Sequence, residues 1–153
     1  MIETDFLNQI DIFGDFSSTM REKISSIAEF KEYNAGESVT IKKSTASHLF
    51  VIMEGMVSLE VPGITGNRAK SEIIGPGEII GYSALMNVPR RKYQAEAKAL
   101  TPLKLVRIPT DALNQLFYSD FEMGFYAMRN IAQNAIKRLR KLTYPVTHPS
   151  SDQ

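Results

Sequence analysis

Between Pro76 and Ala97 the chain reads PGEIIGYSALMNVPRRKYQAEA, and these residue types suit capture of a small anion. Arg90 and Arg91 are adjacent, and a guanidinium fork holds two phosphate oxygens at once. Lys92 adds a third cation beside them. Upstream, Gly81 opens the segment Tyr82-Ser83-Ala84-Leu85-Met86, whose residues favour one or two helical turns. If Gly81 to Ala84 form a helix N-terminus, their free backbone N–H groups make a phosphate cradle. Pro76-Gly77-Glu78 reads as the turn that ends a strand before it, because Pro presets one turn residue and Gly supplies a positive φ. On spacing alone the same residues also suit a solvated basic loop.

Catalytic chemistry has little to work with. His48 and His148 are the two histidines, and neither lies in HExxH, in a Gly-x-Ser-x-Gly elbow or near a cysteine. His48, just before an apolar strand, reads as a strand-edge residue. Glu78 and Glu96 are candidate carboxylates that nothing in the sequence brings together, and Glu54 belongs to a hairpin turn. The seven methionines are scattered and read as core fillers. No enzyme activity, metal site or cofactor is expected.

The elements that must position the cassette follow from periodicity. Residues 17 to 29 carry Met20, Ile24, Ile27 and Ala28 at helical spacing, with Thr19 and Glu22 in capping-box register. From Ser38 to Pro109, short apolar runs (VTI, LFVIM, VSLEV, EII, LVRI) are separated by Gly, Pro, Asn and Ser. That pattern predicts a β-rich middle, best closed as a barrel or jelly roll so that few edges are exposed. Residues 62 to 68 read as a hairpin tip between Val57–Glu60 and Glu72–Ile74. Thr110 is placed to cap a short helix over 111 to 117, and Ser119 with Glu122 forms a second capping box before a last, long helix.

On that last helix Phe121, Phe125, Met128, Ala132, Ala135, Leu139 and Leu142 recur at alternating steps of four and three, a heptad seam. Ile131 and Ile136 add a second stripe. One face can then pack on the barrel while the other, narrowed by Ala132 and Ala135, meets a second copy, giving a homodimer through residues 121–142. The alternative is one wide face buried on its own domain. Lys137, Arg138, Arg140 and Lys141 form a basic run that complements the helix dipole and reads as solvated.

Composition fits one compact domain. The chain has 153 residues, a net charge of +1 and no cysteine, so it offers no disulfide framework and no thiolate metal site. A cytoplasmic location is expected. The N-terminus lacks a basic start followed by an apolar core, and no apolar run is long enough to span a bilayer, so no signal peptide and no membrane contact are expected. Residues 144–153, with two prolines and paired serines, read as a flexible tail or linker after a sensor domain at 1–143.

Taken in order, these motifs resemble the cyclic nucleotide-binding domain family over nearly all of residues 6 to 142. Phe6-Leu7 and Ile10-Asp11-Ile12-Phe13 are similar to its lead helix, Ala35-Gly36-Glu37 to its first barrel turn, and Leu49 to Val57, LFVIMEGMV, to its strand–Gly–strand element. Ile74-Gly75-Pro76-Gly77-Glu78 and Gly81 resemble the start of its phosphate-binding cassette, with Arg91 where its phosphate-pairing arginine belongs. Leu103 to Pro109 resembles the closing strand.

The resemblance implies an α+β, mainly β fold, a double-stranded β-helix (jelly-roll) barrel flanked by N-terminal helices and a long C-terminal helix. It implies a regulatory sensor for a cAMP-like ligand, cAMP or cGMP, gripped by Gly81, Tyr82, Ser83, Ala84, Arg90, Arg91 and Lys92. Arg138, or Asn134, of the C-terminal helix would cap the purine. Transcription factors of this family continue into a helix-turn-helix, so direct DNA binding is not expected here. The chain also departs from the family pattern. Tyr82 stands where a ribose-binding Glu is usual, Lys92-Tyr93-Gln94 where small residues are usual, and Lys43-Ser44 where Gly and Asp are usual. A second reading follows, a degenerate fold that recruits a protein partner without nucleotide.

Overall fold

A computed structural model describes residues 4–40, 45–61, 70–86 and 95–143. Two four-stranded antiparallel sheets stack face to face. One has the order β1–β8–β3–β6, formed by Glu29–Tyr33, Leu103–Pro109, His48–Glu54 and Ile79–Ile80. The other has the order β2–β7–β4–β5, formed by Ser38–Thr40, Glu96–Ala99, Val57–Val61 and Lys70–Ile74. This is the expected mainly β, jelly-roll arrangement, with helices on one flank. Helix α1 (Thr4–Leu7), a 3-10 turn (Asp11–Phe13) and α2 (Ser18–Ile27) precede the sheets, and α3 (Thr110–Ser119) and α4 (Phe121–Thr143) follow them.

The apolar runs are continuous in β3 and β6 because these strands are covered on both faces, and the run in β8 is broken by Lys104 and Arg107. Leu49 and Val51 of β3, with Ile79, Val106 and Ile108, pack against Leu7, Phe13, Ile24, Leu113 and Ile131 of the helical layer. The alternate residues, Phe50 and Ile52 with Ile80, Leu103 and Leu105, fill the space between the sheets with Val57, Ile74, Ala97 and Ala99. Each buried large aliphatic side chain contributes about 1.5–3 kcal/mol.

The predicted hairpin holds in register, Val57 opposite Ile74 through Val61 opposite Lys70, while its tip at 62–68 lies outside the described residues. The turn from β3 to β4 needs Gly55, whose φ is +98° and whose added Cβ would meet the Pro102 carbonyl at 2.5 Å. Strand β1, EFKEY, has no counterpart among the predicted strands. Four of its five residues are exposed, so no alternation marks it, and it is held by its ladder to β8.

Of the three predicted caps, two are replaced by near neighbours and one is absent. Ser17, not Thr19, accepts from the Met20 N–H at the start of α2. Thr110 spends its hydroxyl on the Ser47 carbonyl at 3.0 Å, and α3 has no side-chain cap. Asp120, not Ser119, accepts from the Met123 N–H and caps α4, while the Ser119 hydroxyl donates to Leu116.

Helix α4 is two-faced. Met123, Ala127, Ile131 and Arg138 are buried on the domain, whereas Phe121, Phe125 and Leu139 of the heptad seam are 75%, 60% and 59% exposed. Ile136, expected beside Ile131, is exposed instead. Gly124 lets α4 approach α3, since a Cβ there would lie 3.1 Å from Phe117.

Midway along, Asp15 ties the helix to the first 3-10 turn, accepting from Asn130 Nδ2 at 3.0 Å and Arg129 at 3.2 Å. These bonds, first Asn130 and then Arg129, hold the Asp15 carboxyl below its ordinary value of 3.8. A depressed folded-state pKa gives stability that is present above the unfolded value and is lost as pH falls through the folded one. Asp15→Asn should therefore unfold at lower urea than the parent at pH 7, with the gap closing as the pH falls and the Asp15 carboxyl takes up its proton; a gap independent of pH would contradict the charged role.

Candidate functional site

The cassette begins where β5 ends. Pro76 and Gly77 (φ +85°) occupy the centre of a turn in which the Glu78 N–H donates to the Gly75 carbonyl at 3.1 Å. The Glu78 carboxylate closes the turn by accepting from the Gly75 N–H at 2.8 Å, which occupies one of its oxygens in structure. The turn is fixed to β3 by two bonds, Gly77 N–H to the Ile52 carbonyl and Ile52 N–H to the Glu78 carbonyl. Glu96, the other candidate acid, accepts from the Ser38 hydroxyl on β2 at 2.9 Å.

Strand β6 then delivers the chain to Gly81, whose φ of +81° is left-handed, a conformation that glycine adopts without a Cβ penalty. A 3-10 helix follows at Tyr82–Leu85, the short helical segment expected there. Its internal bonding changes the cradle. The Ala84 N–H donates to the Gly81 carbonyl at 3.0 Å and Ala84 is fully buried, so its N–H is spent within the turn. Gly81, Tyr82 and Ser83 are partly exposed at the same turn. Arg90, Arg91 and Lys92, with Tyr93 and Gln94, lie outside the described residues, as do Lys43 and Ser44.

The described cation at this site comes from α4. Arg138 is 8% exposed, so it does not belong to a solvated basic run. Its Nη2 donates to the Ile79 carbonyl at 2.5 Å, and its guanidinium carbon lies 5.4 Å from the centre of the Tyr82 ring. A cation over an aromatic face gains about 1 kcal/mol, more where water is excluded. The Nε lies 3.9 Å from a carboxylate oxygen of Glu72 on β5 and has no hydrogen-bond partner among the described residues. Arg138 thus gathers three elements of the site, namely β5, β6 and the 3-10 helix. Asn134, one turn earlier, is partly buried, and its Oδ1 is enclosed without a partner among the described residues.

Sequence reasoning reached Tyr82 and Arg138 separately but not their contact, and it missed Glu72. Arg138 carried a usable signal, since it continues the buried stripe at Ala127 and Ile131. Glu72 carried a weaker one, a carboxylate sharing a strand face with buried Ile74.

Elsewhere, His48 begins β3 opposite Pro109, and partial burial, then the nearby Arg107, pushes its imidazole below its ordinary pKa. Glu29 lies 4.0 Å from it. Among the described residues no group of three or more His, Asp or Glu side chains could hold a metal ion, and no helix is long and apolar enough to cross a membrane.

Residues 30–120 match the family model for the cyclic nucleotide-binding domain. Two curated relatives are similar. A cAMP-dependent protein kinase regulatory subunit of Mycosarcoma maydis is 32% identical over 65% of this chain, and glutaminase 2 of Bradyrhizobium diazoefficiens is 29% identical over 90% of it. The aligned residues make up 19% and 21% of those relatives, so the chain spans about a fifth of their length. Among solved structures, a protein of Geobacter metallireducens described as cyclic nucleotide-binding superimposes with a TM-score of 0.79 at 25% identity, covering 91% of this chain and 99% of that one. With the matched residues spanning both sheets and the turn that carries Gly81 and Tyr82, this chain belongs to the cyclic nucleotide-binding domain family.

Proposed function

We propose that the chain is a regulatory sensor for a cyclic nucleotide of the cAMP type, which signals through α4 and performs no catalysis itself. The observation that carries this reading is Arg138. A buried guanidinium on the helix that would transmit the signal touches both Ile79, two residues before the cassette's left-handed glycine, and Tyr82, directly after it. In this reading the cyclic phosphate docks on the N–H groups at Gly81, Tyr82 and Ser83 and on Arg91, with Arg90 and Lys92 adding positive charge. The Tyr82 hydroxyl serves the ribose, and Arg138, lying over the Tyr82 ring, reaches the anionic side of the nucleotide. Any ligand that prefers one position of Arg138 then shifts the population of α4 positions. The kinase regulatory subunit among the relatives supports a cAMP-like ligand. The activities of whole relatives, the glutaminase included, belong to proteins about five times longer.

Calorimetric titration with cAMP and cGMP tests the reading. The parent should bind one of them saturably, and Arg91→Ala should weaken binding by roughly 100-fold, the loss of a charge-assisted bidentate contact of about 1.5–3 kcal/mol. Absence of heat at millimolar nucleotide would overturn it in favour of a protein-recruiting scaffold. Binding that survives loss of Arg91 would place the anion elsewhere.

The seam supports a homodimer, and we infer that two copies pair along α4. Phe121, Phe125, Ile136 and Leu139 project from the domain while a separate stripe holds the helix to it, so these four side chains are not part of the domain's own core. Phe121 and Phe125 also line a groove of about 350 Å³ with Tyr118, Leu85 and Met128, which extends the apolar face beyond the helix itself. Light scattering should give twice the chain mass for the parent and a single chain mass for a Phe125→Glu, Leu139→Glu double variant that keeps its far-UV spectrum. A monomeric parent at high concentration would return the seam to a solvated role.

A further inference from the structure

We propose that Glu72 is a built-in competitor for the guanidinium of Arg138, so that an anionic ligand at the cassette must take Arg138 from Glu72 and in doing so resets α4. The proposal rests on the sensor reading of the site and names how that site is regulated. Glu72 shares the inner face of β5 with buried Ile74, while its neighbours Ser71 and Ile73 are exposed. Its side chain is 17% exposed, and that of Arg138 is 10% exposed. A carboxylate so enclosed needs a positive partner, and among the described residues Arg138 faces it, from a helix position 66 residues further along the chain.

The pair is unfinished. At 3.9 Å the Arg138 Nε and the Glu72 oxygen attract one another without a hydrogen bond, and the Nε–H is enclosed with no acceptor among the described residues. A buried donor left unsatisfied favours any acceptor that can reach it. The oxygens of an anionic ligand beside Tyr82 would satisfy that donor. Glu72 repels the same anion and competes for the same cation, so the two negative groups cannot both hold Arg138 closely. Because Arg138 also bonds the Ile79 carbonyl and covers Tyr82, moving its guanidinium moves the end of α4 relative to the cassette. The sign of the Glu72 effect is therefore fixed. Removing its charge should strengthen binding of an anion, whereas a carboxylate that accepted a ligand hydroxyl would show the opposite.

Two measurements separate these roles. Backbone hydrogen exchange over residues 131–140, read without nucleotide, should quicken about two- to fivefold in Glu72→Gln and further in Arg138→Gln, because both loosen the hold on α4. Calorimetry with cAMP should show Glu72→Gln binding roughly three- to tenfold tighter than the parent, the scale of a partly screened ion pair. Adenosine, which has no phosphate, should gain nothing. Glu72→Met, of similar length and without charge, should give the same signs, so a folding defect peculiar to one replacement does not decide the matter. Unchanged exchange in both Glu72 variants, or weaker cAMP binding in them, would overturn the proposal. Failure of the parent to bind cAMP would instead sink the sensor reading, and the exchange arm would still judge the pair.

Discussion

The double burial of strand β3 is the constraint from which the rest of this structure follows. Leu49 and Val51 on one face and Phe50 and Ile52 on the other join a helical layer and a stacked pair of sheets into one body. Since β6 pairs with β3, and the Gly75–Glu78 turn is bonded to Ile52, the start of the cassette is built onto a strand buried on both faces. Gly81 and the 3-10 helix then project from a rigid base. A site that must hold a small ligand in one geometry gains from such a base, because ordering the site costs less when its backbone is already fixed.

Helix α4 bridges the same base to a second surface. Its inner stripe closes the helical layer through Met123, Ala127 and Ile131 and ends in a charged residue rather than an apolar one. A guanidinium there costs desolvation that a leucine would not, and removing one member of such a buried network is destabilising by about 3–5 kcal/mol. What Arg138 gains in return is connection, to the Ile79 carbonyl, to the Tyr82 ring and towards Glu72. The outer stripe, with Phe125 and Leu139, is free of that duty. Separate stripes let one helix contact the cassette on one side, and in the proposed reading face a second copy on the other.

Much of this was legible in the amino-acid sequence, for identifiable reasons. Pro76-Gly77 and Gly81 mark backbone that needs positive φ, and the alternation in LFVIM reports a strand with two different packed faces. The heptad in α4 is likewise a local pattern. What was not legible depended on tertiary placement. EFKEY pairs with β8 while exposing most of its side chains, so its own residues carry no strand signature. Runs such as Ser17-Ser18-Thr19 and Ser119-Asp120 offer several good capping residues, and packing of the helix start selects among them. Glu72 and Arg138 are ordinary charged residues until β5 and α4 are brought together. Their role lies in a distance that no local pattern encodes.

The central claim is that the cassette and α4 form one coupled site. Two-dimensional amide NMR during a cAMP titration tests it most directly. The amides of Gly81, Tyr82 and Ser83 and those of residues 131–140 should shift along a single saturation curve, with Arg138 reporting through its own Nε–H signal. Cassette shifts that saturate while α4 stays still, or shifts confined to neither segment, would contradict the account.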